Sequence, residues 1–130
     1  MGVPLHVQPP PPPPPVGDDV LGPNMWLYAN QWRTSNNGRF TLYYQGDGNL
    51  VVYRDDGVPI WASGTDGTSP GNVTMQGDGN LVMTDGYGTP IWSSDTWGNP
   101  GAYLIMQGDG NLVIYRSDGV AIWASGTAGS

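Results

Sequence analysis

From about Asp18 onward the chain is a succession of short apolar runs separated by polar, glycine-rich clusters. In the first complete unit, Phe40 to Gln45 leads to Gly46-Asp47-Gly48. Asn49 to Tyr53 follows, and Asp55-Asp56-Gly57 separates that run from Val58 to Ser63. Runs of this length, rich in Val, Tyr, Thr and Trp and joined by Asp-Gly pairs, predict β-strands paired as antiparallel hairpins. A second copy spans Asn72 to about Ser94 and a third Ala102 to about Ser125, while Trp26 to Thr34 supplies a partial unit at the start. The phrase Gln-Gly-Asp-Gly-Asn-Leu-Val begins at Gln45, Gln76 and Gln107, an interval of 31 residues both times, and a tryptophan stands sixteen residues beyond each, at Trp61, Trp92 and Trp123. A period of that size marks repeated supersecondary units stacked on a shared core.

Alternate side chains of a strand face opposite sides of the sheet. On the Asn49 to Tyr53 run this sends Leu50 and Val52 one way and Asn49, Val51 and Tyr53 the other. Leu50, Val52, Leu81, Met83, Leu112 and Ile114 are therefore the predicted core. Three antiparallel sheets with one apolar side each must pack those sides together, which predicts an all-β, three-sided prism with pseudo-threefold symmetry. Trp61, Trp92 and Trp123 are expected to meet near its axis, as core aromatics rather than platforms for a ligand.

Composition sharpens this picture. Among 130 residues there is no Glu, Lys or Cys, and the single His is His6. The scarcity of strong helix formers agrees with an all-β domain. Eleven Asp against four Arg give a net charge of −7, which offers no basic patch to nucleic acid or an anionic membrane. No apolar run approaches transmembrane length, and the first residues lack the charged and apolar regions of a signal peptide, so membrane insertion is not expected. Localisation stays unassigned, with an extracellular or cell-surface module open. Residues 1–17 form a Pro-rich linker or tail with seven consecutive prolines, Pro9 to Pro15, ahead of the repeat domain at 18–130. Such a run is a stiff polyproline II spacer. Its other reading, a ligand for a proline-recognising groove, lacks a flanking basic residue to orient docking.

The residues that carry chemistry stand at even spacing: Gln45, Asp47, Asn49, Val51 and Tyr53. A three-residue hairpin loop with Gly48 in the left-handed conformation would fold Gln45 back beside Asn49, with Asp47 at the tip between them. Val51 and Tyr53 continue along that face, and the long tyrosine can lean back toward the amides. Two amides, a carboxylate, a phenol and an apolar floor suit a neutral polyhydroxyl ligand. Asp-Gly and Asn are also ordinary turn residues, but hairpin chemistry does not account for Gln at every first position or for Tyr53 and Tyr115.

The pattern Gln-x-Asp-x-Asn-x-Val-x-Tyr resembles the mannose-binding signature of the bulb-type, snowdrop-agglutinin-like lectins, over about Asp19 to Thr127. The resemblance implies a β-prism II fold of three antiparallel four-stranded sheets, each with a place for one sugar. It implies that Asp47 and Asn49 contact the 2-hydroxyl of mannose, Gln45 the 3-hydroxyl and Tyr53 the 4-hydroxyl, with Val51 on the ring carbons. The third copy matches in full through Gln107, Asp109, Asn111, Val113 and Tyr115. In the second, Gln76, Asp78, Asn80 and Val82 are present but Thr84 replaces the tyrosine. Threonine is too short to reach the same hydroxyl, so this site is expected to be weak or empty, with substitution by Tyr87 from the next turn left open. The partners implied are mannose or high-mannose glycans; a homodimer formed by exchange of the C-terminal Val120 to Ser125 strand and a monomer both stay open. The absence of the disulfide common in plant members points to a microbial or intracellular branch.

Rival chemistries fail on composition. An EF-hand loop needs a closing Glu, and Cys or His metal sites have no residues in the repeats. A glycosidase needs two carboxylates flanking one bond, whereas each motif has a single Asp. No metal, cofactor or enzymatic activity is expected. The runner-up is a prism that has lost sugar binding and serves as a protein-interaction module, a class that degraded motifs would mark.

Overall fold

The computed structural model describes residues 18–130. The Pro-rich run read from the sequence lies outside them. The described residues form twelve strands and no helix: β1 (Val20–Leu21), β2 (Met25–Tyr28), β3 (Gln31–Thr34), β4 (Phe40–Tyr44), β5 (Leu50–Arg54), β6 (Pro59–Ala62), β7 (Pro70–Met75), β8 (Leu81–Asp85), β9 (Pro90–Ser93), β10 (Tyr103–Met106), β11 (Leu112–Tyr115) and β12 (Ala121–Ala124). They make three antiparallel four-stranded sheets in the orders β3-β4-β5-β6, β2-β7-β8-β9 and β1-β10-β11-β12. Each repeat supplies three consecutive strands. The fourth comes from the opening segment, which passes around the prism and gives one strand to each sheet. This is the three-sided prism expected from the repeats, in the β-prism II arrangement that the resemblance implied.

The inner faces hold the predicted core. Leu50, Val52, Leu81, Met83, Leu112 and Ile114 are fully buried, together with Leu42, Val73, Leu104 and Leu27. Trp61, Trp92 and Trp123 pack edge-to-face in all three pairings, with ring centroids 5.6–5.9 Å apart. Edge-to-face aromatic pairs contribute about 0.5–1.5 kcal/mol each beyond their burial.

One feature of the wall strands was not legible in the sequence. Val52 pairs with Trp61 but Tyr53 pairs with Pro59, so Ile60 is an extra residue, and the same irregularity recurs at Met83/Thr84 and Ile114/Tyr115. A bulge of this kind lets two successive side chains serve one face. Ile60 and Trp61, Ile91 and Trp92, and Ile122 and Trp123 accordingly all pack against the core.

The segment considered for strand exchange closes within the chain. β12 pairs with β11 through Val113–Ala124, Ile114–Trp123 and Tyr115–Ala121. The β1 strand completes the same sheet from its other side.

Because each tryptophan touches the other two, removing one loosens all three sheets. Trp92→Ala is expected to cost about 3–5 kcal/mol, measured as a lowered midpoint in urea unfolding with a single transition retained.

Candidate functional site

The outward side of each repeat hairpin is set by its loop. Gly48, Gly79 and Gly110 adopt φ of 89°, 95° and 94°, a left-handed conformation that glycine takes at no steric cost. A Cβ on Gly48 would also stand 2.1 Å from Thr68 Oγ1, and one on Gly79 2.3 Å from the Asn99 carbonyl oxygen. The turn closes as Gly48 N–H donates to the Gln45 carbonyl at 3.0 Å and Gln45 N–H to the Asn49 carbonyl at 2.9 Å. Gln45, Asp47 and Asn49 are thereby gathered at one end of the hairpin, as the spacing predicted.

Their side chains form a directed relay. The Tyr53 hydroxyl donates to Gln45 Oε1. Gln45 Nε2 donates to Asp47 Oδ1 at 3.1 Å, and the same oxygen accepts the Asn49 backbone N–H at 3.0 Å. The third repeat repeats it: Tyr115 donates to Gln107 Oε1, Gln107 Nε2 to Asp109 Oδ1 at 3.2 Å, and Asn111 N–H to that oxygen at 2.9 Å. Each glutamine is fixed in orientation because its oxygen and its nitrogen face different partners. In the second repeat the Asn80 N–H to Asp78 Oδ1 bond remains at 3.0 Å. Gln76 has no tyrosine partner there: Thr84 ends short of it, and Tyr87 stands 87% exposed in the next turn.

The asparagines have a second role that sequence reasoning missed. Asn49 Oδ1 accepts the Ser63 hydroxyl and the N–H groups of Gly64 and Thr65, at 3.1–3.2 Å. Thr65 Oγ1 lies 2.7 Å from Ser63 Oγ and donates to the Gly48 carbonyl at 2.6 Å, while Ser63 Oγ accepts the Leu50 N–H at 3.1 Å. Asn80 with Ser94 and Thr96, and Asn111 with Ser125 and Thr127, build the same clasp. It ties each loop to the strand end beyond its tryptophan. The signal was in the sequence as Ser-x-Thr at Ser63, Ser94 and Ser125, in register with the longer repeat. With Oδ1 held in the clasp, Asn80 and Asn111 turn Nδ2 away from it, as a donor.

The copies differ in cover. Gln45, Asn49 and Tyr53 are buried, whereas Gln107, Asn111 and Tyr115 are half-buried and Asp109 is exposed. Val51, Val82 and Val113 lie on the site face but expose only 0%, 9% and 2% of their surface. Val51 is enclosed with Tyr43 and Tyr53 against Trp32 and Ala62, so it braces the tyrosine from beneath. Tyr103 stacks on Tyr115 at 5.8 Å in the third copy, where the first has Thr41. Burial raises the phenol of Tyr53 above its ordinary value, and the nearby charges of Asp47 and Tyr43 raise it further. Tyr53 is thus held protonated, as the donor to Gln45. Among the described residues, no group of three or more His, Cys, Asp or Glu could hold a metal ion. No helix there is long and apolar enough to cross a membrane.

No protein-family model and no curated protein matches the chain. Solved structures do. The chain is similar to a Marasmius oreades lectin at 33% identity and TM-score 0.80, over 85% of this chain and 92% of that one. It is similar to a monomeric monocot mannose-binding lectin from Gastrodia elata at 40% identity and TM-score 0.76, over 85% and 98%. The mannose-specific agglutinin from snowdrop (Galanthus nivalis) bulbs, complexed with methyl-α-D-mannoside, matches at 40% identity and TM-score 0.69, over 85% and 97%.

Two outcomes follow from this geometry. Asn80→Ala deprives the Thr96 N–H and the Ser94 hydroxyl of their acceptor and should destabilise the fold by about 1–3 kcal/mol, read from urea unfolding. Tyr43, Tyr44 and Tyr53 all have phenols raised above 10.0, in each case chiefly by burial. Groups raised in the folded state contribute stability that is intact below their unfolded value and lost as the pH climbs through the folded one. Unfolding midpoints should therefore hold steady as pH 10 is approached and fall above it.

Proposed function

The chain belongs to the bulb-type, snowdrop-agglutinin-like mannose-binding lectin family, and on that premise we propose that it is a non-catalytic lectin whose first and third repeats each bind a mannose unit of a glycan. The observation that carries the reading is the tyrosine–glutamine–aspartate relay, present in two copies and lacking its tyrosine in the other. A pyranose presents neighbouring hydroxyls that each donate and accept. In this reading the relay answers with both kinds of group: the phenol oxygen and the Asp carboxylate accept, while Gln Nε2 and, at Asn111, Nδ2 donate.

In this reading Asp47 and Asn49, or Asp109 and Asn111, meet the axial 2-hydroxyl that separates mannose from glucose. Gln45 or Gln107 takes the 3-hydroxyl and Tyr53 or Tyr115 the 4-hydroxyl. Val51 and Val113 support the ring carbons from below the tyrosines. The second copy, with Gln76, Asp78, Asn80 and Val82, binds weakly. A missing hydrogen bond there amounts to about 0.5–1.5 kcal/mol, roughly threefold to tenfold in affinity. The sites lie on different faces of the prism, so a glycan surface or a branched mannan engages them together and gains strength by multivalency. A dimer by strand exchange would require β12 to leave β11, and its readout is the mass in solution.

The test is calorimetric titration with an α1,3-linked mannobiose. The reading expects close to two sites in the natural chain, loss of most affinity in the Tyr53→Phe/Tyr115→Phe double variant, and a third site in Thr84→Tyr. These substitutions leave the asparagine clasp intact, so a lost signal reports the site and not the fold. Absence of binding to this and other mannosides would end the lectin reading and turn attention to protein partners on the same faces.

A further inference from the structure

The second repeat differs from the other two in more than its missing tyrosine. Leu27 is fully buried in the core, so Trp26 and Tyr28 on either side of it in β2 face outward, on the side that carries the repeat motif. Pairing sets two rows across this sheet. Trp26 pairs with Thr74 and Thr74 with Val82, while Tyr28 pairs with Asn72 and Asn72 with Thr84. The row through the valine reads Trp32, Tyr43, Val51 in the first repeat and Val20, Ile105, Val113 in the third. Threonine therefore stands wherever the other faces carry bulk: Thr74 in place of Tyr43 and Ile105, Thr84 in place of Tyr53 and Tyr115.

The bulk has moved to the edge strand. Trp32 of the first repeat packs against Tyr43, Val51 and Tyr53. Trp26, beside the short Thr74, is instead 49% exposed, and Tyr28 is 53% exposed. Their rings meet edge-to-face at 6.3 Å. On their far side lies an opening of about 450 Å³ that Gln31, Trp32, Arg33 and Asp18 also line, so open space borders both rings. Among the described residues the exposed aromatics are Trp26, Tyr28, Tyr87 and Trp97, and all belong to this sheet or to the loops that follow its strands. Between the aromatic pair and the motif, Asn72, Thr74 and Thr84 are short, half-buried and uncharged, in a protein of net charge −7. Thr74 Oγ1 donates to Asn72 Oδ1 at 2.8 Å, which fixes the amide with Nδ2 turned away as a donor.

A strip of this kind suits a chain of neutral sugars. An aromatic face is negative and attracts the C–H groups of a pyranose ring, while an amide and hydroxyls exchange hydrogen bonds with its hydroxyls. Strand spacing puts β2 about 10 Å from β8, a span that one sugar on Val82 cannot bridge and an oligosaccharide can. We propose that the second repeat is an oligosaccharide site: one sugar rests at Gln76, Asp78, Asn80 and Val82, and the chain crosses Asn72 and Thr74 to stack on Trp26. The proposal rests on the reading of the repeat faces as sugar sites. It makes the copy that is weakest for a single sugar the one that selects longer chains.

The Tyr53→Phe/Tyr115→Phe variant, whose second repeat is unaltered, tests it by calorimetric titration with α1,3-linked mannobiose and with the linear mannotriose one residue longer. Mannotriose should bind this variant at one site per chain, about tenfold more tightly than mannobiose, a difference of about 1.4 kcal/mol. Adding Trp26→Ala should remove that advantage, and Trp26→Phe should keep most of it. In the otherwise natural chain, Trp26→Ala should leave mannobiose binding at the first and third repeats unchanged, which shows that the fold is intact. The Trp26 indole proton should shift in NMR spectra with mannotriose and not with mannobiose. Equal affinity of the double variant for the two sugars, or a mannotriose affinity untouched by Trp26→Ala, would overturn the proposal and leave the lectin reading standing on mannobiose binding by the natural chain. A natural chain that binds neither sugar would overturn both.

Discussion

The edge-to-face contact of Trp61, Trp92 and Trp123 is what allows three small sheets to act as one domain. None of the sheets could bury its apolar side alone, and at the axis all three repeats touch at a single place. The strand bulges serve that contact. By inserting Ile60, Ile91 and Ile122 without a partner, they let an isoleucine and the following tryptophan both turn inward from a strand that would otherwise send one of them to solvent. Everything on the outer faces inherits its register from this arrangement.

The face proposed to bind sugar is built from the same residues that make the hairpins. Asp47 caps its turn by accepting the Asn49 N–H and still holds Gln45 in orientation. Asn49 locks the loop to Ser63 and Thr65. Turn chemistry and the proposed recognition chemistry are therefore compatible explanations of the motif. In the proposed reading the glutamine amides and the carboxylates are presented rigidly because each is already hydrogen-bonded within the protein, which would reduce the ordering cost of binding. The second repeat separates the two roles. It keeps the capped turn and the asparagine clasp but lacks the tyrosine partner, so it remains sound as a structural unit while its relay is incomplete.

Membership of the lectin family rests on identities of 33–40% across nearly the full length of the related structures. Among the described residues, each sheet is completed by strands of the same chain. The opening strands β1, β2 and β3 each complete one sheet, and β12 lies in its own. Pairing every sheet within one chain satisfies the backbone groups that an exchanged strand would otherwise supply.

Much of this was legible from residue order. The 31-residue interval, the alternation of Leu50 and Val52 against Val51 and Tyr53, and the left-handed glycine in each loop together determined the prism, its core and the positions of the relay. These are local or periodic properties, and a strand's pleat carries them without reference to distant parts of the chain. The rest required the tertiary structure. The bulges, the clasp joining Asn49 to Ser63 across fourteen residues, and the cover over Val51 arise where separate strands meet, and pairing partners are not written in any one segment. The surface opening lined by Trp26, Tyr28 and Trp32 is of the same kind. Trp26, Tyr28 and Trp32 belong to strands of two different sheets, and only the corner between those sheets brings them to one opening.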